Sequence, residues 1–437
     1  MSQTTLWAAA RSMKLLTPVL SALPAPAKDQ ALRALAQALR SQATAIAEAN
    51  QKDLDEAEVV GLAKPLAARL KFQSEKIEGA AQGLEALAGL ADPVGRTLSA
   101  RELDTGLELY QVTCPLGVVA MIFESRPDAL VQMAGLALKS GNAVILKGGS
   151  EAKHTNRFLA DLISKATVAS GMPKGWLHLA ETRQDVKTLL ELNDSVDLII
   201  PRGSNEFVQY IMKNTTIPVL GHADGICHVY VDGNASVEKA IPIIVDSKTQ
   251  YVAVCNAVET LLVHRDIAPF LLPPLKLALE ARAVTLRGDA ESRKYLPGIE
   301  EAVEQDWETE YLDLILSIKV VASLDEAVTH INTYGSKHTD AIVTESRETA
   351  EKFMNDVDTA NAFWNASTRF ADGFRYGLGA EVGVSTAKIH ARGPVGLDGL
   401  VIYKYKLYGK GQVVATYAGS NPKSFTHKEL PLDGGRK

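Results

Sequence analysis

Cysteine is scarce in this sequence. There are three, Cys114, Cys227 and Cys255, among 437 residues. So few, and an odd number, do not make a disulfide framework, which points to a reducing compartment and a cytoplasmic location. No CxxC or HExxH spacing occurs, so no metal site is expected. No run of about 18 apolar residues suggests a membrane span. The opening stretch lacks a charged head followed by an apolar core, and it reads as a first helix rather than a leader. Net charge is −6 with no basic block, which argues against a nucleic-acid surface. There is no internal repeat.

What remains is a composition of 46% hydrophobic and 22% charged residues, that of a globular protein long enough for two domains. Residues 28–90 are rich in Ala, Leu, Gln, Glu and Lys, with Leu32, Leu35, Ala38 and Leu39 at helical spacing. They predict two or three long helices, broken near Gly61, Pro65 and Gly83. Residues 101–114 alternate around an Asp-Thr-Gly turn, a hairpin signal. From Val118 apolar strands alternate with helices: "VVAMIF", "AVILK", "WLHLA", "VDLIIP" and "IPVLG". That alternation predicts βαβ units and a parallel, doubly wound sheet of the dinucleotide-binding type. A second α/β set follows with "HVYVD", "TLLVH", "AVTLR", "SIKVVA", "DAIVT" and "ANAFWNA". The tail "LVIYKYKLYGKGQVVATY" predicts another exposed hairpin.

The first set lacks the G-x-G-x-x-G turn that cradles a pyrophosphate. Two strand ends offer alternatives. "ILKGGSEA" places Lys147 before Gly148 and Gly149, and "IIPRGSNEF" places Arg202, Gly203 and Ser204 where a strand becomes a helix. Both lie at the carboxyl edge of the predicted sheet, where such folds bind ligands. Cys255, in "TQYVAVCNAVETLLVH", stands just before a strand. By itself it ranks little above an ordinary buried cysteine. Cys114 precedes Pro115 at a hairpin end and reads as structural. Cys227 and His228 are adjacent on a strand and therefore point to opposite faces, a packing pattern.

Taken in order, these segments resemble the aldehyde dehydrogenase superfamily. "PLGVVAMIF…GNAVILKGGS" is similar to its first strand motif and to the strand that ends in the ribose-contacting lysine. Gly203 and Ser204 match its pyrophosphate turn, and "QYVAVCNAVETLLV" matches the stretch around its catalytic cysteine. One branch, the gamma-glutamyl phosphate reductase family, also called glutamate-5-semialdehyde dehydrogenase, is more similar still. "FESRPDAL", "DGICHVYVD", "DWETEYLDLILSIKVV", "VASLDEAVTHINTYGSKHTDAIVT" and "NASTRFADGFRYGLGAEVGVSTAKIHARGPVGL" all look like it.

The resemblance implies NADPH-dependent reduction of L-glutamyl 5-phosphate to L-glutamate 5-semialdehyde and phosphate through a cysteine thioester, the second step of proline synthesis from glutamate. Cys255 is then the nucleophile. Lys147, Gly149, Ser150, Gly203, Ser204 and Glu310 are the expected NADP(H) contacts. Ser150 stands where NAD-selective relatives carry a ribose-binding glutamate. Ser125 stands where the oxidising enzymes carry an oxyanion-hole asparagine. "VLGHADGICH" has no glutamate where they carry the base that activates water. Arg126, Arg369, Lys388 and Arg392 are the candidate partners of the phosphate and α-carboxylate, and Asp372 and Glu381 of the ammonium. His330 and His338 are family-like, with a structural role as open as a catalytic one.

The expected division is an NADP-binding domain over 1–100 and 115–227, including the N-terminal helices, a catalytic domain over 228–397, and oligomerisation hairpins over 101–114 and 398–437. The hairpins favour a homodimer or homotetramer, and a glutamate 5-kinase that delivers the labile acyl phosphate is a conceivable partner. Three other readings compete: an oxidising aldehyde dehydrogenase, a cysteine acyltransferase without nicotinamide, and an inactive scaffold of the same fold.

Overall fold

The computed structural model describes residues 3–62, 64–124, 126–221 and 224–432. The chain divides into two units, one of Met1–Gly203, Tyr210–Val219 and Gly396–Lys437, the other of Ser204–Gln209 and Leu220–Val395. No helix among the described residues is long and apolar enough to cross a membrane.

The first unit opens with the helices Gln3–Ser21, Ala25–Ser41, Ala43–Val59, Lys64–Leu70 and Ser74–Gly89. Leu32, Leu35 and Leu39 recur every three or four residues and are fully buried, which fixes the inner face of the second helix. The expected break at Gly83 does not occur. Buried Ala81 and Leu84 anchor the helix on either side of the position, where glycine costs only about 1 kcal/mol.

The unit's central sheet has four parallel strands in the order Leu177–Ala180, Ala143–Lys147, Val118–Phe123, Leu198–Arg202. Val118–Phe123 and Ala143–Lys147 are buried at every residue, as near-continuous apolar runs in a parallel sheet require. "IPVLG" adds no strand to it. Only a single bridge, Ile199 to Val219, forms there, and Pro218 has no N–H to extend a ladder.

A second, antiparallel sheet in this unit contains the expected hairpin, Thr97–Asp104 and Leu107–Pro115. The tail does not form a hairpin of its own. Val401–Tyr408 pairs instead with Leu107–Pro115, from Val401 opposite Pro115 to Tyr408 opposite Glu108, and Lys428–Glu429 pairs with the first strand. An existing strand edge offers eight residues of ladder at once, and past Tyr408 the chain turns into a short 3-10 helix, Val414–Tyr417. Ile402, Tyr403, Tyr405 and Leu407 stay exposed on the outer strand of this sheet.

The second unit is built on seven parallel strands in the order Glu300–Glu301, Thr285–Gly288, Ile315–Val321, Val258–His264, Cys227–Val231, Thr339–Val343, Asn361–Trp364. Cys227–Val231 and Thr339–Val343 are buried at every residue, and Val229, Leu261, Ile318 and Ala341 pack with the helix Ala268–Glu280 into one core.

Candidate active site

In the first unit the polar turns follow the strands. Lys147 closes Ala143–Lys147 and is buried to within 7% of its surface, and burial holds its ammonium below its ordinary pKa while Glu151 opposes that. The turn after it is closely fitted. A Cβ on Gly148 would stand 2.2 Å from Asn156 Nδ2 and 3.1 Å from the Phe123 ring. Asn156 is itself buried, and its Oδ1 has no hydrogen-bond partner. Ser150 opens a 3-10 turn that leads into the helix Lys153–Ala169, whose first amides are held by the buried Asp53, at 2.9 Å from His154 N and 2.8 Å from Thr155 N. The Glu151 carboxylate folds back over Gly149. A cradle closed to any side chain, a buried amide oxygen in want of a donor and a lysine at the strand end together suit a nucleotide ribose and pyrophosphate. Gly203 directly follows the strand Leu198–Arg202 in this unit. Arg126 precedes the helix Pro127–Lys139 and pairs with Asp128 at 2.8 Å in the open. Ser125 lies outside the described residues.

In the second unit the polar residues precede the strands. Cys255 lies in a turn between the helix Val237–Thr249 and the strand Val258–His264. Cys227 opens the neighbouring strand, Lys337 and His338 precede the next, and Asp358 precedes the last. Because these strands are parallel neighbours, all of these residues share the amino edge of one sheet.

The Cys255 turn is pinned from several sides. A Cβ on Gly225 would stand 2.1 Å from the Cys255 carbonyl oxygen and 2.4 Å from its Cα, so only glycine fits there. The Cys227 thiol, kept protonated by burial, donates to that carbonyl at 3.2 Å. Thr368 Oγ1 donates to the Asn256 carbonyl at 2.7 Å, and Asn256 Nδ2 donates to the Ala371 carbonyl at 2.9 Å. Behind the turn, Lys248 and Glu259 form a fully buried ion pair of 2.5 Å that ties the end of the helix to the start of the strand. Burial pushes the Glu259 carboxyl up to about 7 against the pull of Lys248, and the same burial lowers the Lys248 ammonium.

Arg369 is 8% exposed, and its Nε donates to Gln250 Oε1 at 2.9 Å. Burial, and after it the charge of Arg375, lowers its guanidinium from the ordinary value, while a charge on Cys255 would stabilise it. Through Thr368 on Asn256 and Arg369 on Gln250, the segment of Arg369 is anchored on both sides of Cys255 in the chain. Asp372 and Glu381 lie in the following loop and both serve its backbone: Asp372 accepts from Phe374 N and Arg375 N at 3.0 and 3.1 Å, and Glu381 accepts from Gly373 N at 2.7 Å. Lys388 and Arg392 meet elsewhere on the edge, on Asp358, at 3.0 and 2.9 Å. Lys337 joins them at 3.2 Å, and together the three cations hold the Asp358 carboxyl well below the usual carboxylate range.

Ser204 begins the short segment 204–209 of this unit. Next to it, Asn205 Nδ2 donates both to Asp224 at 2.8 Å and to Glu310 at 2.7 Å. Asp224 is the acid within "VLGHADGICH", where the sequence reading weighed only glutamate, and Gln209 approaches it at 3.5 Å as well. His330 is packed edge-on against Trp307 and His228, and burial pushes its imidazole down to about 2, so it stays neutral. His338 lies 3.7 Å from the Cys227 sulfur. Gly225, Gln250, the Lys248–Glu259 pair, Lys337 and Asp358 were not singled out by sequence reasoning.

The profile of the aldehyde dehydrogenase family matches residues 2–302. The chain is 58% identical over 426 residues to the gamma-glutamyl phosphate reductase of Pelotomaculum thermopropionicum, covering 98% of both chains. It is 59% identical over 409 residues to that of Acetivibrio thermocellus, covering 93% of this chain and 94% of the other. Among solved structures it is similar to a gamma-glutamyl phosphate reductase from Thermotoga maritima, with a TM-score of 0.92 and 38% identity over 93% of this chain and 99% of that one. An acetylating aldehyde dehydrogenase from Geobacillus thermoglucosidasius shares the fold, with a TM-score of 0.64 and 18% identity, covering 94% of this chain and 98% of that chain.

Proposed function

The chain belongs to the aldehyde dehydrogenase family and, within it, to the gamma-glutamyl phosphate reductases, and on that premise we propose that it reduces L-glutamyl 5-phosphate to L-glutamate 5-semialdehyde and phosphate in proline biosynthesis. One observation carries the reading beyond the name: Cys255 lies in a pinned turn whose next carbonyl, that of Asn256, is held by Thr368, the neighbour of the buried Arg369.

A carboxylate resists hydride, and phosphorylation removes that resistance by supplying a leaving group. The Cys255 sulfur, as thiolate, attacks the acyl carbon, the C–O bond to phosphate breaks, and phosphate departs with the electron pair to leave a thioester. Arg369 draws the phosphate toward Cys255 and balances its charge as it leaves. The Cys255 backbone N–H is the nearest candidate donor to the oxygen that becomes negative. NADPH, when bound, supplies the hydride that takes the thioester to the aldehyde level. The Cys255 thiolate is then expelled, which a sulfur leaving group does readily. Lys147, Gly149 and Ser150 on the first unit, with Gly203, Ser204 and Glu310, are the residues that would hold the dinucleotide. Neutral Ser150 admits the 2′-phosphate that an acid there would repel, hence NADP(H) rather than NAD(H).

Retention of the thioester for hydride requires that water not be activated beside it. Asp224, the acid in the stretch where the oxidising enzymes keep their base, has its carboxylate engaged by Asn205 and Gln209. The exposed outer strand Val401–Tyr408, with Ile402, Tyr403, Tyr405 and Leu407 outward, supports assembly of copies by strand pairing.

The test is the reverse reaction. NADPH formation from glutamate semialdehyde and NADP is expected to depend on phosphate, with arsenate able to replace it. Rapid, sustained formation with neither anion would show that water deacylates Cys255, and the protein would then be an oxidising aldehyde dehydrogenase.

A further inference from the structure

Asp358 gathers Lys388 at 3.0 Å, Arg392 at 2.9 Å and Lys337 at 3.2 Å. One carboxylate does not neutralise three cations, so the cluster keeps a surplus of positive charge in a spot where the Arg392 side chain is only 27% exposed. Arg392 Nε is buried with no hydrogen-bond partner, and so is the hydroxyl of Thr359, the residue after Asp358. Each ammonium also has donors beyond its single bond to Asp358. Surplus charge, spare donors and an orphaned guanidinium N–H together call for an anion.

Its place on the sheet says which anion. The strands run in the order Val258–His264, Cys227–Val231, Thr339–Val343, Asn361–Trp364. Neighbouring strands lie about 4.8 Å apart, so the starts of the last two are about 10 to 14 Å along the edge from the Cys255 turn. In an acyl phosphate the phosphorus is one oxygen away from the carbon that Cys255 attacks. Phosphate therefore belongs at Cys255, with Arg369. The substrate's other anion, its α-carboxylate, lies four carbon–carbon bonds from the attacked carbon, about 5 Å in an extended chain. The Cys255 side chain, the bond from its sulfur to the acyl carbon and a hydrogen bond of about 3 Å to the carboxylate cover the remaining distance to the cations on Asp358.

We propose that Lys337, Lys388 and Arg392, oriented by Asp358, form the site that takes the α-carboxylate of the substrate, and so select an amino-acid aldehyde over a plain one. This rests on the reductase reading. Asp358 is a positioning residue in it, and the three cations are the contacts.

In the reverse reaction, Arg392→Met and Lys337→Met are each expected to raise KM for glutamate semialdehyde by about ten-fold or more, with Arg392→Lys recovering much of the loss. KM for phosphate and for NADP should stay within about two-fold, since those anions are held elsewhere. A rise in KM for phosphate instead, or no change in any KM, would overturn the assignment. Lys337 is half exposed, so its variant keeps the fold, which a melting curve checks. Binding without turnover separates this proposal from the reaction itself. Calorimetry on the Cys255→Ala protein should show 5-oxopentanoate bound at least about ten-fold more tightly than pentanal, and Arg392→Met should erase that difference. Equal binding of the two aldehydes by the Cys255→Ala protein would also overturn it. Failure of the reductase reading shows separately, as NADPH formation without phosphate.

Discussion

The two parallel sheets offer opposite edges. In the first unit the closely fitted turn follows the strand Ala143–Lys147, at the carboxyl edge, and the helix Lys153–Ala169 begins there. In the second unit Cys255, Lys337 and Asp358 precede their strands and Cys227 opens its own, at the amino edge. The difference is electrostatic. At a carboxyl edge, helices start, and their free N–H groups favour anions without any side chain. At an amino edge, helices end, as Val237–Thr249 ends before Cys255, and their carbonyls bring partial negative charge. Anion binding there has to be built from side-chain cations, and Arg369, Lys337, Lys388 and Arg392 are the ones proposed for it. One edge works with backbone, the other with side chains.

That contrast can be broken first at the nucleophile. Cys255→Ala is expected to lower reductase turnover by about 10⁴-fold or more while NADPH fluorescence titration shows unchanged binding, because the cofactor edge is untouched. Residual turnover near wild type would remove Cys255 from the chemistry.

The buried Lys248–Glu259 pair gives the next largest effect. Below the ordinary carboxyl value of 4.5 Glu259 is protonated folded or unfolded, and between 4.5 and its folded value of about 7 the unfolded chain ionises first. Stability therefore falls as pH rises through that window, by about 3 kcal/mol from this group alone. Glu259→Gln should abolish that fall. Denaturant unfolding from pH 4.5 to 7 compares the two proteins, and a difference that stays constant with pH would refute the assignment.

Gly225→Ala forces a methyl group to within 2.1 Å of the Cys255 carbonyl oxygen. Displacement of the nucleophile by about an ångström should cost about 10²-fold in kcat. NADPH affinity should not change, and a variant with full kcat would show that the turn tolerates movement.

The smallest effect lies at the backbone edge. Ser150→Glu should reduce kcat/KM with NADPH relative to NADH by about ten-fold, through repulsion of the 2′-phosphate. An unchanged ratio would place the discriminating contact elsewhere, with Glu151, folded over Gly149, the first alternative.

The first unit was legible because its signals are local. Uniformly apolar strands and helical leucine spacing need no knowledge of distant residues, and Val118–Phe123, Ala143–Lys147 and the hairpin all form where expected. Where partners lie far apart in the chain, sequence reasoning failed. Val401–Tyr408 alternates like half of a hairpin, but its partner lies on the far side of the whole second unit in the chain. Asp358 and Lys337 were not singled out, since nothing local shows that two distant segments converge on the Asp358 carboxylate. Gly225 had no turn signal, and its reason is the Cys255 backbone thirty residues on. Cys255 itself was found by resemblance, since a small-apolar stretch before a strand describes many buried cysteines equally well.

The pairing of Val401–Tyr408 with Leu107–Pro115 also sets an order of events during synthesis. The strands of the second unit, from Cys227 to Trp364, are all synthesised before the residues that complete the first unit's antiparallel sheet. Until then Leu107–Pro115 presents a bare row of amides and carbonyls, the kind of edge that recruits other strands. A chain that ends short of Gly396 therefore keeps this edge open, and the sheet closes only over the long loop that the second unit forms.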